Sequence, residues 1–194
     1  MTRRAWFLIL SSVAAVVLVA VLGLTHLRIR TASSRLPERG TVSERVPGCP
    51  ARVEILIDAR GIPHVRTDSR TAVWFAQGYL HARDRFFQME MARRTAQGRL
   101  AEVFGESALE SDRRIRNYRI AASARRQSAL LSATERPVLE AYAGGVNAAI
   151  AQYGKWIAPE VWMLGVQPEP WTIEDSLSIG VLMQLELSWS MSKE

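Results

Sequence analysis

The chain has 194 residues, 48% of them hydrophobic and 23% charged, the size and composition of one ordinary domain, which excludes disorder throughout. The formal net charge is +6, yet seven arginines up to Val46 stand against only Glu38 and Glu44, so all but one unit of the surplus lies at the N-terminus. The rest is nearly neutral, which argues against a nucleic-acid partner, and the single Cys49 excludes an internal disulfide framework and reads as an inert thiol.

Ala5 to Thr25 carries no ionised side chain and is long enough, at ~1.5 Å per helical residue, to cross a hydrocarbon core of ~30 Å. Arg3 and Arg4 precede it and Arg28, Arg30 and Arg35 follow, so flanking charge is almost balanced. Orientation then rests on its being the first hydrophobic segment, with the C-terminal side exported to the periplasm. An uncleaved anchor over residues 1–30 is favoured. A cleaved signal peptide with a secreted product is the competing reading, because Thr31-Ala32-Ser33 is a passable cleavage site, although it lies beyond Arg28 and Arg30. Residues 31–52, with Pro37, Gly40, Pro47, Gly48 and Pro50, have no apolar period and read as a tether.

The folded body is expected over 53–194. Val53, Ile55 and Ile57 alternate, turn residues Asp58 to Gly61 follow, and Ile62 to Val65 completes a β-hairpin. Pro63 cannot donate to a ladder, so its strand is an edge there or pairs through its other side. After Asp68 and Ser69, either of which can cap, a helix runs from Arg70 to Gln97, with Phe87, Met91, Trp74, Phe75 and Tyr79 as its buried stripe and Gly78 as a possible break. Its charged stretch from Asp84 to Arg94 reads as a solvated face, and His81 is placed to meet Asp84 along the helix. Gly98 stops the helix, and Gly105 closes a short turn holding Leu100, Val103 and Phe104. Ser132 and Glu135 form a capping box ahead of Val138, Tyr142, Val146 and Ile150, up to Gly154. A last helix starts at Thr172 with Asp175 at its third position and runs toward Trp189.

One hairpin with several helices is too little sheet to stand alone, and the chain stops at Glu194 in or just after an apolar helix, so a piece of a larger protein is expected. Its unpartnered surface should then include Phe86, Phe87 and Leu182. His26, His64 and His81 are too dispersed for a zinc site, and neither a phosphate loop nor a Gly-x-Ser-x-Gly elbow occurs. His64 has no nameable acid and nucleophile beside it.

Three motifs occur in order: Gly61-Ile62-Pro63-His64-Val65, Gly78-Tyr79-Leu80-His81-Ala82-Arg83-Asp84-Arg85-Phe86-Phe87-Gln88-Met89, and Gly98-Arg99-Leu100-Ala101-Glu102-Val103-Phe104-Gly105. Together with Tyr142-Ala143-x-Gly145-Val146-Asn147 and Pro170-Trp171-Thr172, they make Val53 to Glu194 resemble the α-chain of the penicillin acylase family of N-terminal nucleophile hydrolases.

The resemblance implies an α+β fold, a mostly helical α-chain with its N-terminal hairpin, completed by a β-chain from the same precursor into an αββα sandwich. It implies an amidohydrolase acting on small N-acyl amides, in which a Ser, Thr or Cys at the β-chain N-terminus forms the acyl-enzyme. No catalytic residue is then expected in this chain, which alone should be inactive. By the same resemblance Gln184, Leu187 and Ser188 fall at acyl-pocket positions and Glu194 at a calcium-ligand position. Penicillin G acylases typically carry Met, Arg and Phe at those three pocket positions, so aliphatic acyl groups, as in acyl-homoserine-lactone acylases, are an alternative. A non-catalytic helical interaction module is another. No organic cofactor is implied.

Overall fold

The computed structural model describes residues 13–25, 46, 48–58 and 60–191. The chain divides into two compact units, Met1–Gly40 and Thr41–Glu194. In the first, residues 13–25 form helix α1, whose last hydroxyl, Thr25 Oγ1, donates back to the Val21 and Leu22 carbonyls at 2.8 and 2.9 Å. Among the described residues no helix is long and apolar enough to cross a membrane. The first part of the apolar run from Ala5, and most of the expected tether, lie outside the described residues.

The second unit opens with the expected hairpin, β1 (Glu54–Ile57) and β2 (Pro63–Arg66), antiparallel with Ile55 opposite Val65 and Ile57 opposite Pro63. Asp58 builds its turn. Oδ1 accepts the amides of Arg60 and Ile62, both at 2.9 Å, and Gly61 sits at φ 81°, a region open to glycine without strain. The alternation buries Val53 and Ile55.

Helix α2 (Arg70–Gln97) starts where Ser69 Oγ accepts the Ala72 amide at 3.3 Å, and it stops at Gly98, which is left-handed at φ 64°. Gly78 does not break it. The irregularity lies at Arg85, with φ −141° and ψ 25°. The buried stripe also differs from the expected one: Phe75, Tyr79, Ala82 and Phe86 are buried, Phe87 and Met91 are half-buried and Trp74 is exposed. Gly78 is the reason, because it lies on the Phe75–Tyr79–Ala82 face and marks the point where a second helix crosses.

That helix is α6 (Arg136–Tyr153), introduced by the expected capping box, with the Ser132 amide 2.9 Å from Glu135 Oε2 and the Glu135 amide 3.3 Å from Ser132 Oγ. A Cβ on Gly78 would stand 2.1 Å from the Tyr142 carbonyl oxygen, and one on Gly145 would stand 1.9 Å from that of Phe75. Backbone meets backbone from both sides. The Tyr79 hydroxyl then donates to Gln152 Oε1 at 2.8 Å, fixing the far end of the crossing.

Between them come α3 (Ala101–Phe104), a 3-10 turn (Gly105–Ala108), α4 (Leu109–Tyr118) and α5 (Ile120–Leu130); after α6 come a 3-10 turn (Gly154–Trp156), α7 (Pro159–Met163) and α8 (Ile173–Met191). Helices α4 and α5 carry no wide apolar stripe, since they bury only Asp112, Ile120, Ala124 and Ser128. Ile120, Ala96 of α2 and Leu182 of α8 form a small second core. Phe86 and Leu182 are therefore 1% and 6% exposed, not surface residues as expected, whereas Met183 and Leu187 are 56% and 65% exposed.

Gly145→Ala is expected to destabilise the fold by about 1–3 kcal/mol or more, because neither backbone can retreat without opening the crossing. Gly180→Ala, where a Cβ meets nothing within 4 Å on a helix interior, should stabilise by about 0.5–1 kcal/mol. Denaturant midpoints of the two variants check this, and a neutral Gly145→Ala would contradict the close crossing.

Candidate functional site

The C-terminal half of α2 holds a buried ionic cluster. Glu90 is fully buried; its Oε1 accepts Arg94 Nε at 2.6 Å and its Oε2 accepts Arg93 Nη2. Arg93, 2% exposed, also donates to the Pro170 carbonyl at 3.2 Å, faces Asp175 at 3.6 Å and lies 5.2 Å over the Trp171 ring. Its Nε is the only buried side-chain polar atom without a hydrogen-bond partner among the described residues. A solvated face was expected here. The contacts invert it for Glu90, Arg93 and Arg94, since a carboxylate between two guanidiniums is tolerable in the interior only when paired and hydrogen-bonded.

The cluster continues outward. Arg94 Nη1 donates to Glu102 at 2.6 Å, and Arg99 bridges Glu102 at 2.8 Å and Glu169 at 2.8 Å. Hydrogen bonds first from Arg99 and then from Arg94 hold the Glu102 carboxyl down at about 2, and Glu169 is lowered chiefly by Arg99. Asp112 accepts the Leu100 and Ala101 amides at 2.9 and 2.8 Å and so caps α3.

The same cluster sets the start of α8. Asp175 accepts Gln97 Nε2 at 2.6 Å and the Thr172 amide at 2.7 Å, while Asn147 of α6 both accepts the Trp171 amide at 2.7 Å and donates to its carbonyl at 2.9 Å. The first turn of α8 is held by α2 and α6, Leu182 and Leu185 pack into or against the second core, and the other side of the helix beyond Val181 is exposed.

Gln184, Leu187 and Ser188 occupy one exposed face of α8, at spacings of three and four residues. Ser188 Oγ donates to the Gln184 carbonyl at 2.7 Å, turning its hydroxyl toward the backbone, so Leu187, with Met183 nearby, is the apolar part of a face that also exposes Gln184. An open groove of about 500 Å³ between α2, α6 and the first half of α8, lined by Trp74, Met89, Tyr142 and Trp171, includes none of the three. Glu194 lies outside the described residues, and among those described no group of three or more His, Cys, Asp or Glu side chains is placed to hold a metal.

Neither remaining histidine makes a nucleophilic arrangement among the described residues. His64 Nε2 lies 3.1 Å from Asp58 Oδ2, an acid that the spacing alone had not identified. Asp58 is lowered first by the Ile62 amide and then by His64. His81 does not meet Asp84, which pairs with Arg83 at 2.7 Å; its Nδ1 lies 3.1 Å from the Tyr142 hydroxyl. Burial holds that phenol above its ordinary value.

The model of the penicillin amidase family matches residues 52–194, the hairpin and every helix after it. The chain belongs to the penicillin amidase family. It is 40% identical to penicillin acylase 2 proenzyme of Pseudomonas sp. (strain SE83) over 78% of this chain and 19% of that protein. It is 35% identical to acyl-homoserine lactone acylase QuiP of Pseudomonas fluorescens (strain Pf0-1) over 93% of this chain and 22% of that one. The thermostable penicillin G acylase of Alcaligenes faecalis superposes with a TM-score of 0.60 at 37% identity, covering 66% of this chain and 70% of that chain. This family member thus spans about a fifth of the length of the curated relatives it matches. The mostly helical architecture with a two-stranded sheet agrees with that fold.

Glu90→Gln is expected to cost about 3–5 kcal/mol in denaturant unfolding, since it leaves two buried guanidiniums without their counter-charge. A loss below ~1 kcal/mol would show the pair to be hydrated. The Glu102 carboxyl is lowered on folding, so its contribution is complete above about 4.5, the ordinary value, and is lost as pH falls toward about 2. Stability of Glu102→Gln measured from pH 6 to pH 2 should therefore fall less steeply than that of the wild type; parallel curves would remove this carboxylate from the acid response.

Proposed function

We propose that residues 53–194 are the α-chain portion of an amidohydrolase that cleaves small N-acyl amides through an acyl-enzyme. The nucleophile is a Ser, Thr or Cys at the N-terminus of a β-chain cut from the same precursor, and this chain alone is inactive. The observation that carries the reading is the family match across the entire folded body, residues 52–194. In this scheme the ionic cluster holds α8 rigid, and Gln184, Leu187 and Ser188 supply one wall of the acyl pocket. Hydrocarbon of an acyl chain lies against Leu187, and water stays excluded from that wall.

Aliphatic acyl groups, including those of acyl-homoserine lactones, are the favoured donors over phenylacetyl. The exposed Leu187 and the inward-turned Ser188 hydroxyl offer an aliphatic surface, and the acyl-homoserine lactone acylase relative aligns with 93% of the chain. Glu194 provides one hard oxygen toward a structural calcium ion. Calcium takes roughly six to eight oxygens, so the other ligands have to come from outside the described residues. The protein works in the periplasm, with residues 1–30 as its retained anchor or cleaved signal and 31–52 as the tether.

Intact mass and N-terminal sequencing of the full reading frame product test the central claim. Two chains, the larger beginning with Ser, Thr or Cys, are expected, and a single uncut chain sinks it in favour of a non-catalytic module. In the processed enzyme Leu187→Asn should lower kcat/KM for a decanoyl amide relative to an acetyl amide by about tenfold or more, the scale of about 1–3 kcal/mol for a lost apolar pocket contact. An unchanged profile would remove Leu187 from the pocket.

A further inference from the structure

A second concavity of about 250 Å³ lies between the C-terminal end of α2, α4 and α5, and it does not involve the exposed turn of α8. Its floor is apolar, with Ala96 and Ile120 buried and Ile115 half-buried. Its rim carries Arg116, Arg119 and Arg125. From Arg113 to Arg126 the chain has six arginines and no carboxylate. Arg116 donates Nε to the Gly98 carbonyl at 2.9 Å, and among the described residues none of the three rim guanidiniums forms an ion pair.

Arg119 joins α4 to α5 at φ 56°, the only non-glycine with positive φ among the described residues, a conformation that disfavours any side chain bearing a Cβ. The first turn of α5 that follows has no capping side chain and no acidic residue, but the C-terminal ends of α2 and α4 meet the same groove with the opposite sign, so its positive charge is that of the arginine side chains.

An inorganic anion would satisfy the guanidiniums and leave the apolar floor in contact with water. A hydrocarbon would fill the floor but make no use of the three rim guanidiniums, which are exposed to solvent. The volume lies below the roughly 300–1,000 Å³ of pockets for drug-sized ligands. We propose that this groove binds a short-chain carboxylate, its two oxygens forked by guanidiniums of the rim and its alkyl chain laid on Ala96, Ile115 and Ile120. The assignment does not depend on the acylase reading, because none of these residues belongs to the α8 face.

Titration calorimetry of the full-length protein with hexanoate, hexanamide and inorganic phosphate tests it. Hexanoate is expected to bind, hexanamide and phosphate at least tenfold more weakly. In R119G/R125Q one hexanoate site should be lost or weakened at least tenfold, while the melting temperature of R119G stays at or above that of the wild type, because glycine suits φ 56°. If the double variant does not fold, R119G alone supplies the comparison. Hexanoate binding unchanged by the substitutions, as for an ion held at an acyl pocket, overturns the proposal. So does equal affinity for hexanamide, which makes the groove merely apolar, or equal affinity for phosphate, which makes it merely cationic.

Discussion

The rest of the second unit depends on a contact with no side chain at its centre, where Gly78 of α2 and Gly145 of α6 each let the other helix's backbone come within the space of a missing Cβ. Once two helices meet that closely, the faces they turn to each other are fixed. On α2 that face holds Phe75, Tyr79, Ala82 and Phe86; on α6 it holds Ala143, Val146 and Ala149. Neighbouring positions are rotated by roughly 100°, so one flank of the face, with Ala76 and Leu80, stays in the core, whereas Trp74 falls outside it and Phe87 is only half-buried despite their size.

The crossing also decides where charge goes. Continuing along the buried stripe of α2, the next positions after Phe86 are Glu90 and Arg93, so a carboxylate and its arginines are carried inside by helix phase, not by their own preference. The interior accepts them because the Trp171 loop and α8 supply the remaining partners: Pro170, Asp175 and the Trp171 ring. The cost of desolvation is offset only if all these partners arrive together, so the cluster couples α2, α6 and α8 into one cooperative arrangement. The first turn of α8 is positioned by it.

Local signals were legible in the sequence wherever a short-range rule sufficed. The hairpin, the Ser69 cap, the Gly98 stop and the two capping boxes at Ser132 and Thr172 all lie where turn and cap chemistry put them. Failures came where a partner helix decided the outcome. Gly78 looked like a breaker because a glycine costs helix stability, yet its value is in the space it leaves for Tyr142. Glu90, Arg93 and Arg94 looked like a solvated face because a charge pair four apart is common on surfaces, and nothing local distinguishes that from a buried cluster. Helices α4 and α5 were missed because an arginine- and alanine-rich segment that buries so few side chains has almost no hydrophobic period. The motifs that led to the family were legible as a set, and Gln184, Leu187 and Ser188 do share one helix face, though only the family resemblance, not their chemistry, singled them out.

Helix α8 carries the remaining tension. Its inward side, Leu182 and Leu185, is satisfied by the second core, but its outward side presents Met183 and Leu187 at more than half exposure, which leaves the helix apolar on opposite faces. A helix of that kind in a water-soluble protein is ordinarily covered on both sides. The ionic cluster anchors its first turn, while its far end exposes hydrocarbon. Under the function proposed above, both halves have one explanation: the anchored first turn orients the wall, and the exposed aliphatic turn would be removed from water by an acyl chain and the rest of the pocket.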